Sequence, residues 1–227
     1  MTSARTLLKP LATPSKRSSM NRFARLLIAA PLAVIGCADP AVVLPRAIVD
    51  VNVGPSAKVG SCGFVPSDEV SIGCAGSASK CAGNSESRYL PVAHGGYIAG
   101  DGTPSDSGVE VHVYCTITSL NNAFDVKVSA LRIDPQSPTT STEKFTMYGT
   151  IAPTRDAQPV TVTASNRTLA SFRNGSEGCT LSFPDPQMGI ASGRLWGVVN
   201  CANATIPSQE SRECTLAGTV RFENCGE

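Results

Sequence analysis

Aromatic residues, histidines and long apolar runs are all scarce in this sequence of 227 residues. Aromatics make up 5% of the chain, whereas it contains 20 glycines and 16 prolines. That balance favours turns between short strands over long helices. The longest apolar run, Leu26 to Ile35, is about half of the roughly 20 residues that a spanning helix needs. We therefore expect no permanent transmembrane helix.

Acidic residues are missing from the first 37 positions, although these positions carry six basic ones. The remainder of the chain holds 13 basic against 18 acidic residues, with no cluster of Lys and Arg. Binding to nucleic-acid phosphates requires such clusters. The sequence therefore predicts no nucleic-acid partner.

Motifs for catalysis and for metal binding are also missing. His94-Gly95-Gly96 resembles the oxyanion loop of some esterases, but no G-x-S-x-G elbow accompanies it. We therefore interpret His94 as a loop residue and His112 as an exposed strand residue. No C-x-x-C pair occurs, and the Asp101–Asp106 segment lacks the spacing of a calcium loop. We expect no cofactor, no metal and no enzymatic activity.

The segment from Met20 to Cys37 has the order of a bacterial export signal. Arg22 and Arg25 precede the apolar run, and small residues follow it. The end of this segment, Val34-Ile35-Gly36-Cys37, resembles the lipobox of bacterial lipoproteins. The resemblance implies that residues 1–36 are removed, that Cys37 is acylated, and that acyl chains hold the mature protein on a membrane. Ala38, where an Asp often retains lipoproteins at the inner membrane, implies the outer membrane or cell surface.

Two alternatives remain open for this leader. An ordinary secretory signal could end near a cysteine by coincidence. Residues 1–19 are either an extended basic region or an over-long gene start, and Met20 is the more typical beginning.

Eight further cysteines indicate a disulfide framework, because an even number in an exported chain is typical of paired thiols. About four bridges are expected, and 105 connectivities are possible. Spacing favours Cys201–Cys214 first, since these residues bracket a polar stretch between two apparent strands, and Cys74–Cys81 second. The candidates are Cys62, Cys74, Cys81, Cys115, Cys179, Cys201, Cys214 and Cys225.

The mature chain divides into a linker at 37–55 and one β domain at 56–227. The Val-rich part of the linker could also join the sheet as an early strand. Residues 56–107 are rich in loops, whereas regular alternation of apolar and polar residues begins at Gly108. Asn121-Asn122 is a plausible hairpin turn. The segments predicted as strands are 109–118, 124–130, 144–151, 160–164, 168–172, 179–183, 193–201 and 214–223.

These features predict an all-β, antiparallel β-sandwich or barrel-like domain. The single tryptophan, Trp196, is expected in a core or inter-sheet position, because a lone Trp contributes much buried area, and a ligand-stacking role is the alternative. The leading functional hypothesis is a lipid-anchored, non-enzymatic module that binds another envelope or surface component. The alternatives are a carrier of a small apolar or lipid ligand and, third, a hydrolase.

Overall fold

Antiparallel strands account for most of the described chain, as the alternating sequence pattern predicts. The structure is a computed structural model. It describes residues 42–55, 69–77, 79–81, 89–102, 108–134, 141–166, 172–174, 178–206 and 209–227. The predicted signal peptide, Cys37 and Cys62 lie outside these residues, as does most of the strand predicted at 168–172. No helix occurs among the described residues, so none of them forms a helix that could cross a membrane.

The strands pair into one continuous antiparallel sheet. Their hydrogen-bonded order is β3-β4-β1-β13-β12-β10-β8-β7-β6-β5, while β2 pairs with β1, β11 with β12, and β9 with both β8 and β12. The bounds are β1 Arg46–Pro55, β2 Glu69–Ile72, β3 Tyr89–Pro91, β4 Tyr97–Gly100, β5 Glu110–Leu120, β6 Ala123–Asp134, β7 Ser141–Ile151, β8 Gln158–Ser165, β9 Phe172–Asn174, β10 Cys179–Ser182, β11 Gly189–Ala191, β12 Arg194–Ile206 and β13 Gln209–Glu223.

The β5–β6 hairpin shows how the sequence pattern produces the strands. Val111, Val113, Cys115 and Ile117 are buried, whereas the residues between them are exposed or half-buried. This is the alternation expected when one face of a strand packs on a core. The predicted turn lies at residues 121–122, and Asn121 has a positive φ of 53°. Asn tolerates this left-handed conformation better than most residues, so the turn prediction is confirmed.

Strands that lie far apart in the hydrogen-bonded order of the sheet share a single core. Val49 of β1 and Val220 of β13 belong to the same buried cluster as Val126 of β6 and Phe145 of β7. The sheet thus encloses its core in a sandwich-like way, but strand pairing does not close it. At the β5 edge, Ile117 N donates to Gly226 O at 3.0 Å, and Gly226 N donates to Cys115 O at 3.0 Å. The last residues of the chain therefore cover part of that edge.

Strand β1 revises the predicted domain boundary at residue 55. It pairs with β13 along its whole length, from Arg46 opposite Glu223 to Pro55 opposite Cys214. Residues Val42–Glu227 form one compact unit. The early strand considered for the linker is therefore present, and β1 belongs to the sheet because Ala47, Val49 and Val51 are all buried.

The first-choice disulfide, Cys201–Cys214, is wrong. Cys201 is bonded to Cys179, which stands directly opposite it in the β10–β12 pairing with the Cα atoms 4.1 Å apart. Directly opposed residues share a face and lie closest, so this pair meets. Cys214 instead stands opposite Ala204, beyond a register shift from Cys201.

The β12–β13 hairpin on which that pairing was based is nevertheless present. Its strands are longer than predicted: β12 continues to Ile206 and β13 begins at Gln209. The polar stretch after Cys201 therefore contributes to both strands. Polar residues are common both in loops and on the exposed face of a strand. The sequence alone therefore did not distinguish a strand from a loop in this polar stretch.

The remaining cysteines agree with a disulfide framework. The second-choice bridge, Cys74–Cys81, is confirmed, and Cys115–Cys225 ties β5 to the end of the chain. Three bridges thus join cysteines within the described residues, where about four were predicted for the whole chain. Cys214 is also disulfide-bonded, and its partner lies outside the described residues.

Candidate functional site

Trp196 lies on the outer face of the sheet and not in the core, which corrects the prediction made from its size. In β12 the residues Leu195, Gly197 and Val199 face inward and are buried, whereas Trp196 is half-buried on the opposite face. Neighbouring residues of a strand point to opposite faces. The alternation that places Leu195 and Val199 on one face of β12 is visible in the sequence. The same alternation places Trp196 on the other face, so its outward direction was predictable.

Two polar side chains pack against the indole ring. The Arg221 guanidinium carbon lies 4.8 Å from the ring centroid, in the range of a cation–π contact. Arg221 reaches this position because it stands directly opposite Trp196 in the β12–β13 pairing. The imidazole of His94 is stacked at a centroid distance of 6.0 Å and an interplanar angle of 24°. The single tryptophan of the chain is therefore held in a defined polar setting.

An Arg–Glu–Arg network fixes Arg221. Arg221 Nε donates to Glu223 Oε1 at 2.7 Å, and an Arg46 guanidinium nitrogen donates to Glu223 Oε2 at 3.1 Å. All three side chains are at most about a third exposed. Both carboxylate oxygens of Glu223 are thus engaged by guanidinium groups. The network orients Arg221 over the indole ring.

A cavity of about 410 Å³ opens beside the indole ring. One part of its lining is apolar, with Met188, Ile190 and Trp196, and another is charged, with Arg194, Arg221 and Glu223. A smaller cavity of about 130 Å³ adjoins it and shares His94, Met188, Trp196 and Arg221. We call the larger cavity the Trp196 cleft. Its volume falls within the range of about 300–1,000 Å³ typical of small-molecule sites.

The loop that carries His94 is positioned by the small disulfide ring 74–81. Cys74 N donates to Tyr97 O at 2.9 Å, and Tyr97 N donates to Cys74 O at 2.7 Å. Gly96, with a φ of 113°, comes so close to this ring that an added Cβ would lie 2.4 Å from Cys74 O. Only glycine fits such a position. His94 is an exposed loop residue, as predicted, but its contact with Trp196 was not predicted.

A turn on the other side supplies Met188 to the cleft. Gln187 N donates to Asp185 Oδ1 at 2.8 Å, and Met188 N donates to Asp185 O at 3.0 Å. An Asp side chain commonly closes a turn in this way. Strand β11, which follows directly, pairs with β12 through Gly189 opposite Trp196. Both rims of the cleft are thus held by backbone hydrogen bonds.

His112 lies apart from the cleft, on the outer face of β5. Its Nε2 is 3.4 Å from Glu110 Oε2, and its Nδ1 is 4.0 Å from Asp101 Oδ1. Asp101 Oδ1 also accepts a hydrogen bond from Val113 N at 2.8 Å, so this carboxylate braces the turn at 101–102. The predicted outward position of His112 is confirmed. Within the described ranges no cluster of His, Cys, Asp and Glu forms a metal site.

Glu143 is a half-buried carboxyl group between β7, β6 and β2. It accepts hydrogen bonds from Arg132 and from Ser71 N, each at 3.1 Å. Burial raises its pKa, against the opposing effects of the Arg132 charge and of the Ser71 hydrogen bond. The contacts tie β2 to the neighbouring strands. We therefore assign Glu143 a structural role.

The sequence matches no protein-family model, and no curated protein or solved structure is significantly similar to it. Among the described features, the Trp196 cleft alone combines a stacked aromatic ring, exposed charge and a cavity of ligand size.

Proposed function

We propose that the protein is a non-enzymatic binding module, held at the outer membrane or cell surface by a lipid on Cys37, that engages its ligand through the Trp196 cleft. The observation that carries the proposal is the outward position of the only tryptophan, stacked with His94 and Arg221 beside a cavity of about 410 Å³. Aromatic and Arg side chains are enriched where proteins bind partners.

The frame around the cleft suits a binding role. Strands β12 and β13 form its floor, and the disulfide ring 74–81 fixes the loop of His94. A preorganised site loses less side-chain freedom when it binds a ligand, and this favours affinity. Three disulfides among the described residues also suit an oxidising compartment outside the cytoplasm.

Replacement of Trp196 by Ala tests the cleft. The full chain, purified from membranes in detergent, is incubated with detergent-extracted envelopes of source cells that lack the protein, so that its acyl chains have no bilayer to enter, and binding is measured by co-sedimentation. We expect the wild type to sediment with envelopes and W196A to lose this binding. The matched control is Y148A, which removes another exposed aromatic ring from a distant part of the sheet. If W196A and the wild type bind equally, the cleft is not the binding surface.

Replacement of Cys37 by Ser tests the anchor. The wild type is expected in the membrane fraction and labelled by radioactive palmitate, because acyl chains contribute about 0.8 kcal/mol for each buried CH₂. C37S is expected in the soluble fraction without label. If C37S stays in the membrane fraction as fully as the wild type, the proposed anchor is wrong.

The carrier alternative calls for a cavity with mainly apolar walls. The Trp196 cleft instead places Arg194, Arg221 and Glu223 around its apolar part. Burying an apolar ligand against these groups would remove them from water at a cost. This mixed lining favours a polar or charged ligand and therefore a recognition role.

A further inference from the structure

The charges around the Trp196 cleft are not balanced. Glu223 uses one carboxylate oxygen for Arg221 and the other for Arg46. Arg194 is exposed, lines the cleft, and has no hydrogen bond or ion pair with any described residue. Two guanidinium groups therefore share the one carboxylate, and the third, that of Arg194, lines the cleft and is free to bind an anion.

The position of Arg194 suits such a ligand. It lies two residues before Trp196 on β12, and residues two apart in a strand project from the same face. Its guanidinium can therefore receive one end of a molecule that lies against the indole. A guanidinium group binds carboxylate and phosphate oxygens through paired hydrogen bonds.

We propose that the Trp196 cleft binds a sugar that carries an anionic group, with the anion on Arg194 and the ring against Trp196 and Met188. The proposal names the ligand class of the cleft and so rests on the proposed function. A pyranose combines an apolar C–H face with hydroxyl groups, which matches an apolar wall flanked by polar groups such as Gln187. The cavity volume of about 410 Å³ suits a ligand of this size.

Four probes distinguish the contribution of the sugar ring to binding from that of the anionic group. D-glucuronate and D-glucose 6-phosphate carry both, D-glucose carries only the ring, and inorganic phosphate carries only the anion. Trp196 is the only tryptophan, so the intrinsic tryptophan fluorescence of the full chain in detergent reports on this cleft alone. We expect glucuronate and glucose 6-phosphate to change the fluorescence at concentrations at least tenfold lower than glucose or phosphate.

Arg194 carries the anion in this proposal, so R194Q should weaken binding of glucuronate by about tenfold or more, as expected for loss of a charge-assisted hydrogen bond. The matched control is R155Q, which neutralises another exposed arginine outside the cleft and should bind as the wild type does. Circular dichroism verifies that both variants are folded. Because Arg194 is exposed, its replacement should leave the sheet intact.

Any of four results would overturn the ligand class. The first two are equal binding of glucose and glucuronate and equal binding of phosphate and the sugar anions. The others are glucuronate binding that R194Q leaves unchanged and the absence of any fluorescence response. If W196A still abolishes envelope binding in that case, the binding module stands and only the sugar anion is wrong.

Two sources could supply the sugar anion, namely a free monosaccharide and a residue within an acidic polysaccharide. Titration with polygalacturonate, expressed per sugar residue, distinguishes them. Tighter binding of the polymer than of its own monomer, D-galacturonate, assigns the source to a polysaccharide, and tighter binding of D-galacturonate assigns it to a free sugar.

Discussion

The three disulfides between described residues should stabilise the fold unequally, because they close loops of very different length. The sequence separations are 110 residues for Cys115–Cys225, 22 for Cys179–Cys201 and 7 for Cys74–Cys81. A disulfide stabilises mainly by restricting the unfolded chain, and the effect grows with the closed loop. The perturbation is replacement of each pair by two alanines in turn.

Loop-closure entropy gives the expected magnitudes. The loss of unfolding free energy is about 4.8 kcal/mol for the Cys115–Cys225 pair, about 3.4 kcal/mol for Cys179–Cys201 and about 2.4 kcal/mol for Cys74–Cys81. All six cysteines are at most 9% exposed, so the burial lost with each pair is similar and largely cancels in the comparison. The largest value is a substantial part of the roughly 5–15 kcal/mol that usually stabilises a domain.

Urea unfolding followed by circular dichroism measures the difference. With a denaturant dependence of about 2 kcal/mol per M, the midpoint should fall by about 2.4 M, 1.7 M and 1.2 M in the same order. The remaining disulfides stay oxidised throughout, which mass spectrometry after alkylation without reductant verifies. A loss for C179A/C201A equal to or larger than that for C115A/C225A would show that loop length does not determine the contribution.

Three further predictions concern single residues. Burial raises the pKa of Glu143 in the folded protein, so the contribution of this group to stability should be present below its unfolded-state pKa and lost as the pH rises through the higher folded pKa. Urea unfolding of the wild type and E143Q from about pH 4 to 8 should show this dependence in the wild type only, and the opposite slope would contradict it. An added Cβ at Gly218 would lie 2.0 Å from Asp50 O, so G218A should cost more than about 3 kcal/mol in thermal unfolding, while G189A, with no atom within 4 Å, should change stability by less than about 1 kcal/mol. Alkylation of the unreduced mature protein should leave Cys62 unmodified, because the even number of cysteines predicts full pairing; two or more modified thiols would refute the framework.

Much of the strand map was predictable because alternation is a local property. Val111 and Val113 indicated the buried face of β5 without knowledge of any neighbour, and Asn121 indicated the turn that follows. The boundaries of β12 and β13 were less predictable. Past Cys201 both strands continue through polar residues, whose pattern is the same in an exposed strand as in a loop.

The candidate site was predictable only in part. His94 was identified as a loop residue, and the phase of Leu195 and Val199 contained the outward direction of Trp196. The contact between His94 and Trp196 was not predictable, because it joins two segments that are far apart in the chain. The network of Arg46, Arg221 and Glu223 likewise depends on the pairing of β1 with β13.

The sequence by itself thus determined the strand faces, the even set of eight cysteines and the pattern of the leader, since each depends on residues close together in the chain. Only the tertiary structure decided which thiols meet and what surrounds Trp196. Strand β12, which carries Cys201, has β10 on one side and β13 on the other. The register of β10 against β12 places Cys179, and not Cys214, within bonding distance of Cys201. Register depends on hydrogen bonds between strands that need not be consecutive, and local periodicity contains no information about which strands those are.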